Sequence, residues 1–157
     1  MIILDTDIFI HLTYGHANVV RHYEGIEEAE QIAVTSITRM EVLRGRTDSL
    51  LKAADERELL AATKRLRTTE AALGDFLLLH VDEKAAGHFE SLRTQKKLSR
   101  MKRPDMLIAC IALAHEALLV TRNTKDFEKV TGVEALELGR RLSESVSGRE
   151  GSGNREK

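Results

Sequence analysis

The chain has little cysteine, few aromatic residues, almost no net charge and no long apolar run. Its single cysteine, Cys110, excludes an internal disulfide framework and a zinc site built from several cysteines. Four Phe, two Tyr and no Trp provide no evident platform for stacking nucleic-acid bases. The formal charge of −1 gives no global basic field, so any attraction for nucleic acid has to come from local charge.

The apolar segments do not have the form of a membrane or secretory sequence. The longest apolar run, residues 106–114, is too short to span a bilayer, which takes about 20 residues. The first twelve residues are apolar, but they lack a basic start and contain Asp5 and Asp7, so we expect no signal peptide. These features and the single cysteine predict a cytoplasmic protein without a membrane partner.

Short apolar stretches alternate with longer amphipathic ones. We expect strands at residues 2–5, 32–35, 76–81, 118–121 and 135–138, and helices at 7–14, 18–31, 36–43, 50–73, 105–114 and after Asp82. Strands that are apolar on both faces and alternate with helices predict a parallel sheet of four to five strands between two helical layers, an α/β fold. The domain should cover residues 1–142, and residues 143–157 should form a flexible tail.

Two local features are expected to interrupt helices. Ser36 has the character of an N-cap, and Gly45 is expected to end the helix that Ser36 begins. The Thr68-Thr69 pair is expected to divide residues 50–73 into two antiparallel helices. The same segment has more apolar surface than one helical layer usually buries, which predicts either simple packing on the domain or an interface with another protein.

Carboxylates follow the predicted strands. Those singled out are Asp5, Glu41, Asp105 and Asp126. Ligands of open α/β sheets bind beyond the carboxyl ends of the strands, and acids gathered there repel one another unless a cation offsets their charge. Mg²⁺ and Mn²⁺ prefer oxygen ligands, and the six histidines show no metal-binding spacing. The pattern therefore favours a divalent-metal enzyme.

Each acid also has an ordinary structural interpretation. Asp5 and Asp105 have the positions of helix caps, Glu41 is a common residue in a helix, and Asp126 is placed to cap a turn. We expect the helix dipole to lower the pKa of Asp105 and keep it ionised. Taken singly, Glu41 and Asp126 favour the structural interpretation; taken together, the acids favour a site.

Four segments resemble the signature blocks of PIN-domain ribonucleases, and most closely the VapC-type toxins of bacterial toxin–antitoxin modules. They are LDTDI (4–8), TSITRMEVLRG (35–45), PDMLIA (104–109) and LVTRNTKDF (119–127). The resemblance covers about residues 1–140 and implies a PIN-like three-layer α/β/α fold. It places the catalytic, metal-binding acids at Asp5, Glu41, Asp105 and Asp126, with Thr121 and Asn123 as their neighbours. Asp7 stands where the family frequently has Asn, and we expect it to support the site or cap the helix.

The resemblance also implies an activity and partners. The expected function is an endoribonuclease dependent on Mg²⁺ or Mn²⁺, in which a metal-activated water attacks a phosphodiester in line and leaves a 5′-phosphate and a 3′-hydroxyl. A cognate antitoxin and a homodimer are the expected protein partners, and the resemblance favours an interface role for residues 50–73.

A basic run leads into Asp105 and is a candidate RNA-binding segment. It holds six cations and no acid, namely Arg93, Lys96, Lys97, Arg100, Lys102 and Arg103. Helical spacing would place Arg93, Lys97 and Arg100 on one face. Cations beside an acidic metal site suit a phosphate backbone, and a solvated helix face is the alternative. Arg44 and Arg46 are weaker candidates for the same role.

Two other functions fit parts of the pattern. Asp5-Thr6-Asp7 after an apolar strand also occurs in phosphatases of the haloacid-dehalogenase type, with Asp5 as nucleophile and Asp7 as acid and base. That family usually has Thr or Val where this chain has Phe9, and it needs a later pair of acids that is absent here. A non-catalytic PIN-like module that binds RNA or protein is the third candidate, although its expected mark, the loss of acids, is not seen.

Overall fold

The computed structural model describes residues 1–26 and 30–137. Its strands are β1 (Ile2–Leu4), β2 (Ile32–Thr35), β3 (Leu77–Leu79), β4 (Leu118–Thr121) and β5 (Glu134–Glu137). Its helices are α1 (Thr6–Thr13), α2 (Ala17–Glu24), α3 (Ser36–Leu51), α4 (Glu56–Gly74), α5 (Glu83–Leu92), α6 (Arg103–Ala114) and α7 (Thr124–Phe127). The predicted strand end at Leu138, the domain boundary at 142 and the tail at 143–157 lie outside the described residues.

The described strands form one parallel sheet in the order β3-β2-β1-β4-β5. The chain adds β2 and β3 on one side of β1 and then crosses to add β4 and β5 on the other side. The strand order therefore reverses between β1 and β4, and their carboxyl ends lie at the same edge. Ligands of open α/β sheets bind beyond this edge at such a reversal. The predicted fold class, a parallel sheet between helical layers, is confirmed.

Successive side chains of the central strands point to opposite helical layers, as the two-residue repeat of a strand requires. Ile3 and Leu119 pack with buried residues of α5 and α6. Leu4 and Val120 pack with residues of α1, α2 and α3. Because both faces are covered, the central strands are apolar on both faces and not alternately polar.

Helix α6 is buried along most of its length, as its apolar sequence predicts. Cys110 is fully enclosed within it, and burial raises the pKa of this thiol to about 11. A thiol that stays protonated at neutral pH is a weak nucleophile, so Cys110 is a small core residue.

Helix α3 is longer than predicted. Thr35, not Ser36, is its N-cap, because the Thr35 hydroxyl accepts a hydrogen bond from the Thr38 N–H at 3.0 Å. The helix passes through Gly45 and ends at Leu51, so the predicted end at Gly45 is wrong. Gly45 costs roughly 1 kcal/mol in a helix interior, and packing of the neighbouring turns against α4 is sufficient to continue the helix through it.

The predicted break at Thr68-Thr69 is also wrong. Helix α4 is continuous, and the chain reverses instead at residues 52–55, between α3 and α4. Asp55 starts α4 by accepting a hydrogen bond from the Glu58 N–H at 2.7 Å. Thr69 is buried, and its hydroxyl accepts a hydrogen bond from Arg46 Nε at 2.9 Å. This threonine therefore attaches α4 to α3.

Two other elements are shorter than the sequence patterns predict. The helix expected over residues 18–31 ends at Glu24, with Gly25 as its C-cap, and residues 27–29 lie outside the described part. The strand expected over residues 76–81 is confined to Leu77–Leu79. Across residues 1–26 and 30–137, we find no helix with the length and apolar character needed to cross a membrane.

Candidate functional site

Asp5 lies at the edge of the sheet where the strand order reverses. Because Leu4 pairs with Val120 in the parallel register, the next residues, Asp5 and Thr121, are neighbours. The Thr121 hydroxyl donates to Asp5 Oδ2 at 2.6 Å and accepts a hydrogen bond from the Asn123 N–H at 3.0 Å. The Thr6 N–H donates to Asp5 Oδ1 at 2.7 Å, which makes Asp5 the N-cap of α1. Asp5 is therefore both a helix cap and the buried acid of the site.

Thr6 joins Asp5 to Glu41. Its hydroxyl donates to Glu41 Oε2 at 2.6 Å, while its N–H binds Asp5. Glu41 is in the second turn of α3, and the Thr35 cap sets where that helix starts. Sequence reasoning assigned Thr6 no role, although a hydroxyl between two aspartates at the end of a buried strand is a signal that indicates one.

Asp105 lies in the first turn of α6 as the third residue of the helix, which begins at Arg103, so it does not open the helix as predicted. Burial and the Asp5 carboxylate raise its pKa from 3.8 to about 6. Lys102 opposes this rise, and Glu41 and Asp126 add to it. The expected lowering of the Asp105 pKa by the helix dipole is therefore wrong, because desolvation and repulsion from the other acids outweigh the dipole.

Asp126 is the outer member of the acidic cluster, which we define as Asp5, Glu41, Asp105 and Asp126. Its carboxylate accepts hydrogen bonds from Lys129 Nζ at 2.6 Å and Asn123 Nδ2 at 2.9 Å. These two donors hold its pKa below the usual range. Asp126 thus remains ionised and is held by two residues close to it in the sequence. Its charge still repels an ionised Asp105 carboxylate.

Asp7 lies beside the acidic cluster and carries an unsatisfied oxygen. Its Oδ1 is buried and has no hydrogen-bond partner among the described residues. Burial and the Asp5 carboxylate raise the pKa of Asp7, while the Ile8 N–H, Arg122 and His11 lower it. A buried carboxylate oxygen without a donor is unfavourable, which makes this atom a ready acceptor for a cation or its water.

The donor set fits a hard divalent cation that keeps part of its water shell. Within the described ranges, no three His, Cys, Asp or Glu side chains are arranged to hold an ion by themselves. A closed structural zinc cage is therefore not formed there. Mg²⁺ is typically bound through one or two carboxylates plus waters and substrate phosphate, and Mn²⁺ accepts similar oxygen ligands. The all-oxygen donors, the mutual repulsion felt by Asp105 and the unsatisfied Asp7 oxygen suit this mode.

The basic run at residues 93–103 does not form the single helical face that its spacing predicts. Arg93 is the C-cap of α5 and pairs with Glu90 at 2.7 Å, and residues 96–98 form a separate 3₁₀ turn. Lys97 Nζ donates to the Thr131 hydroxyl at 3.1 Å, and Arg103 lies over the Phe89 ring at 4.8 Å. Lys102 is the member of the run that acts on the acidic cluster, through Asp105 and Asp126.

Comparison with known proteins places the chain among relatives of one kind. The PIN domain family matches residues 2–133. A tRNA(fMet)-specific endonuclease VapC of Shigella flexneri is 28% identical over 134 residues, which cover 83% of this chain and 92% of that protein.

Two solved structures have a similar fold. A toxin–antitoxin complex from Klebsiella pneumoniae matches with a TM-score of 0.63 and 29% identity, over 85% of this chain and 95% of that one. The VapBC2 complex of Rickettsia felis, bound to a promoter DNA fragment, matches with a TM-score of 0.72 over 87% of this chain and 98% of that one. Its 22% identity supports the fold alone.

Proposed function

Because the chain belongs to the PIN domain family, we propose that it is a metal-dependent endoribonuclease and the toxin of a toxin–antitoxin module. The observation that carries this proposal is the environment of Asp105, whose carboxyl is repelled by Asp5, Glu41 and Asp126. Acids from four separate segments thus share one electrostatic site at the carboxyl edge of the sheet. Such a site is unfavourable without a cation and is suited to phosphodiester hydrolysis with one.

We assign the metal-holding role to the acidic cluster, with Asp7 in support. Bound Mg²⁺ or Mn²⁺ would polarise the phosphate and lower the pKa of its water, which allows in-line attack and products with a 5′-phosphate and a 3′-hydroxyl. The protein holds the ligands in place: Thr121 orients Asp5, Thr6 orients both Asp5 and Glu41, and Asn123 orients Asp126. No side chain is assigned as the sole general base.

The RNA backbone would approach the acidic cluster along the basic run. Lys102 is placed to contact a phosphate next to the metal, because it already acts on Asp105 and Asp126. Lys96 and Arg100 are exposed and extend this path, whereas Arg93, Lys97 and Arg103 also have local partners. Cations along such a path contribute affinity without sequence selectivity.

The proposed protein partners are a cognate antitoxin and a second copy of the chain, acting in the cytoplasm. The Klebsiella pneumoniae relative is a toxin–antitoxin complex. Leucines near the α3–α4 reversal are exposed to an unusual degree, with Leu51 at 78% and Leu60 at 63%. Large exposed apolar side chains close together mark protein interfaces more often than free surface.

The haloacid-dehalogenase alternative is not supported, because the family match is to the PIN domain. The non-catalytic alternative is decided by experiment. Purified protein is incubated with RNA and Mn²⁺, and 5′-phosphate ends are mapped in cells after induction. We expect cleavage by the wild type and a loss of at least about 100-fold in Asp5→Asn and Asp105→Asn, because each removes a charge from the site.

Asp48→Asn is the matched control, since it makes the same change at an exposed position of α3. It should cleave and arrest growth like the wild type. If the wild type cleaves no RNA with Mn²⁺ or Mg²⁺, and Asp5→Asn leaves toxicity intact, the chain is a binding module and the nuclease proposal is wrong.

A further inference from the structure

An open pocket of about 590 Å³ lies next to the acidic cluster and has no role in the site described so far. Its polar lining comes from His11, His16, Asn18, Arg122 and Glu137. Arg122 directly follows Thr121, the residue that binds Asp5. The Arg122 guanidinium also lowers the pKa of Asp7, which places Arg122 within electrostatic reach of the acidic site.

The contacts of Arg122 leave its guanidinium able to bind an anion. Its Nη1 lies 2.8 Å from His11 Nε2, and because a guanidinium only donates, the imidazole nitrogen accepts and the ring is uncharged in this contact. Within the described part of the chain, Arg122 forms no ion pair with a carboxylate. An exposed guanidinium oriented by a neutral partner retains its charge and its other N–H donors for a phosphate.

The histidines of the lining suit a nucleobase. The His11 and His16 rings are in edge-to-face contact with centroids 4.3 Å apart, and His16 is exposed. An imidazole held in this way offers a flat surface on which a base can stack. The Asn18 amide and the Glu137 carboxylate supply donors and acceptors for a base edge.

We propose that this pocket binds one nucleotide of single-stranded RNA beside the phosphodiester that is cleaved. Arg122 contacts the phosphate, and His16 stacks on the base. The inference rests on the proposed ribonuclease function and adds a second contact point to it. Lys102 is not among the residues that line the pocket, so Arg122 would be a contact point separate from it.

The test measures RNA binding without cleavage. Full-length protein carrying Asp105→Asn is titrated with a fluorescent single-stranded RNA at several salt concentrations. Adding Arg122→Gln should weaken binding about tenfold and reduce the slope of log affinity against log salt by about 0.7, because one phosphate contact is lost. His16→Ala should weaken binding about fivefold or more with the slope unchanged, because stacking releases no counterion.

Arg65→Gln is the matched control, because it removes the same charge from an exposed position of α4 outside the pocket. It should leave affinity within about twofold, in line with a surface change outside an interface. If Arg122→Gln behaves like Arg65→Gln, the pocket is not an RNA subsite. If Arg122→Gln weakens binding of the antitoxin and leaves RNA binding unchanged, the pocket binds protein and the proposal is overturned.

A second measurement separates failure of the pocket from failure of the nuclease function. The ring resonances of His11 and His16 are followed by NMR while uridine 5′-monophosphate is added to the wild-type protein. Shifts in the wild type that are absent in Arg122→Gln support the pocket even if no RNA is cleaved. Cleavage by the wild type without such shifts and without an Arg122 effect overturns the pocket alone.

Discussion

Single hydroxyl groups organise the acidic site. The bonds from Thr121 to Asp5 and from Thr6 to Glu41 are both 2.6 Å long, in the range of charge-assisted hydrogen bonds. Each donor binds one carboxylate oxygen and fixes the direction of the remaining lone pairs. The orientation of these two carboxylates therefore depends on two threonines that carry no charge.

Replacing Thr121 by Val tests this role while keeping the shape of the side chain. The change leaves the Asn123 N–H and one Asp5 oxygen without partners, so we expect the free energy of unfolding to fall by about 1–3 kcal/mol. Mn²⁺ affinity should fall as well, because Asp5 loses its orientation. Denaturation by urea and calorimetric metal titration measure the two effects. Thr121→Ser keeps the hydroxyl, and an equal loss in that variant would contradict the hydrogen-bond explanation.

The raised pKa of Asp105 has a consequence for the stability of the metal-free protein. The folded pKa of about 6 lies above the value of 3.8 expected without the fold, so the folded state binds protons more tightly. Stability should therefore fall as pH rises from about 4 to about 6 and stay lower above that. Asp105→Asn removes the charge and should stabilise the metal-free protein by about 1–2 kcal/mol at pH 7, after allowance for solvent screening.

Urea denaturation in EDTA at pH 4 and pH 7 measures this difference. The stabilisation by Asp105→Asn should be near zero at pH 4, where the wild-type carboxyl is protonated. The effect of Asp48→Asn on stability should not depend on pH in this way. Adding Mn²⁺ should reverse the ranking at pH 7, because only the wild type keeps the full ligand set. A gain at pH 4 equal to that at pH 7 would rule out charge repulsion as its cause.

At the scale of secondary structure elements, helix ends are set by caps and packing more than by residue propensity. Thr35, Asp55 and Asp82 each accept a backbone N–H at the start of a helix, and α3, α4 and α5 begin there. Gly45 does not end α3, although glycine is a common helix terminator. The turns on either side of Gly45 pack against α4, and a sequence pattern does not show this tertiary contact.

Gly45→Ala tests whether α3 is continuous. A Cβ at this position meets no atom within 4 Å, so the substitution should raise the free energy of unfolding by about 0.5–1 kcal/mol. Gly15→Ala is the contrasting change, because its φ of +70° disfavours a side chain, and it should lower stability by about 1 kcal/mol or more. Both are measured by urea denaturation. A destabilising Gly45→Ala would mean that the helix ends there.

At the scale of the whole molecule, the sheet gathers the acids and the α3–α4 pair extends apolar surface into solvent. Leu51 lies at the end of α3, and Leu59 and Leu60 lie near the start of α4, 48% and 63% exposed. These leucines lie on either side of the reversal at residues 52–55. This surface supports the proposal of an interface, which remains a prediction.

Leu60→Glu should weaken self-association or antitoxin binding by about 30-fold or more, because a charge in the centre of an apolar interface is left unpaired. Sedimentation at micromolar concentration, with and without the antitoxin, measures both. Val81→Glu is the control, since Val81 is 42% exposed and follows β3 rather than lying on α3 or α4. A wild type that is monomeric and unaffected by the antitoxin would contradict the interface proposal.

The sequence by itself determined the layer architecture and singled out the acids of the proposed site. Strands such as Ile2–Leu4 and Leu118–Thr121 are recognisable as continuous apolar runs, because both faces of a central parallel strand are buried. The acids could be singled out because carboxylates follow buried strands, as at Asp5, at the edge of a parallel sheet where ligands bind, although Asp5 also caps α1. The start of α5 at Asp82 was also predictable, because capping depends on residues that are close together in the chain.

Only the tertiary structure decided the features that depend on contacts distant in sequence. The β1–β4 register joins Thr121 to Asp5, and residues 116 positions apart cannot be paired from their local pattern. The Asp105 pKa is raised because the fold buries its carboxyl and brings acids of other segments close to it, whereas the helix that contains it predicts the opposite direction. Thr6, Arg122 and the ends of α3 and α4 belong to the same class, because burial, charge and packing at each depend on residues brought close by the fold.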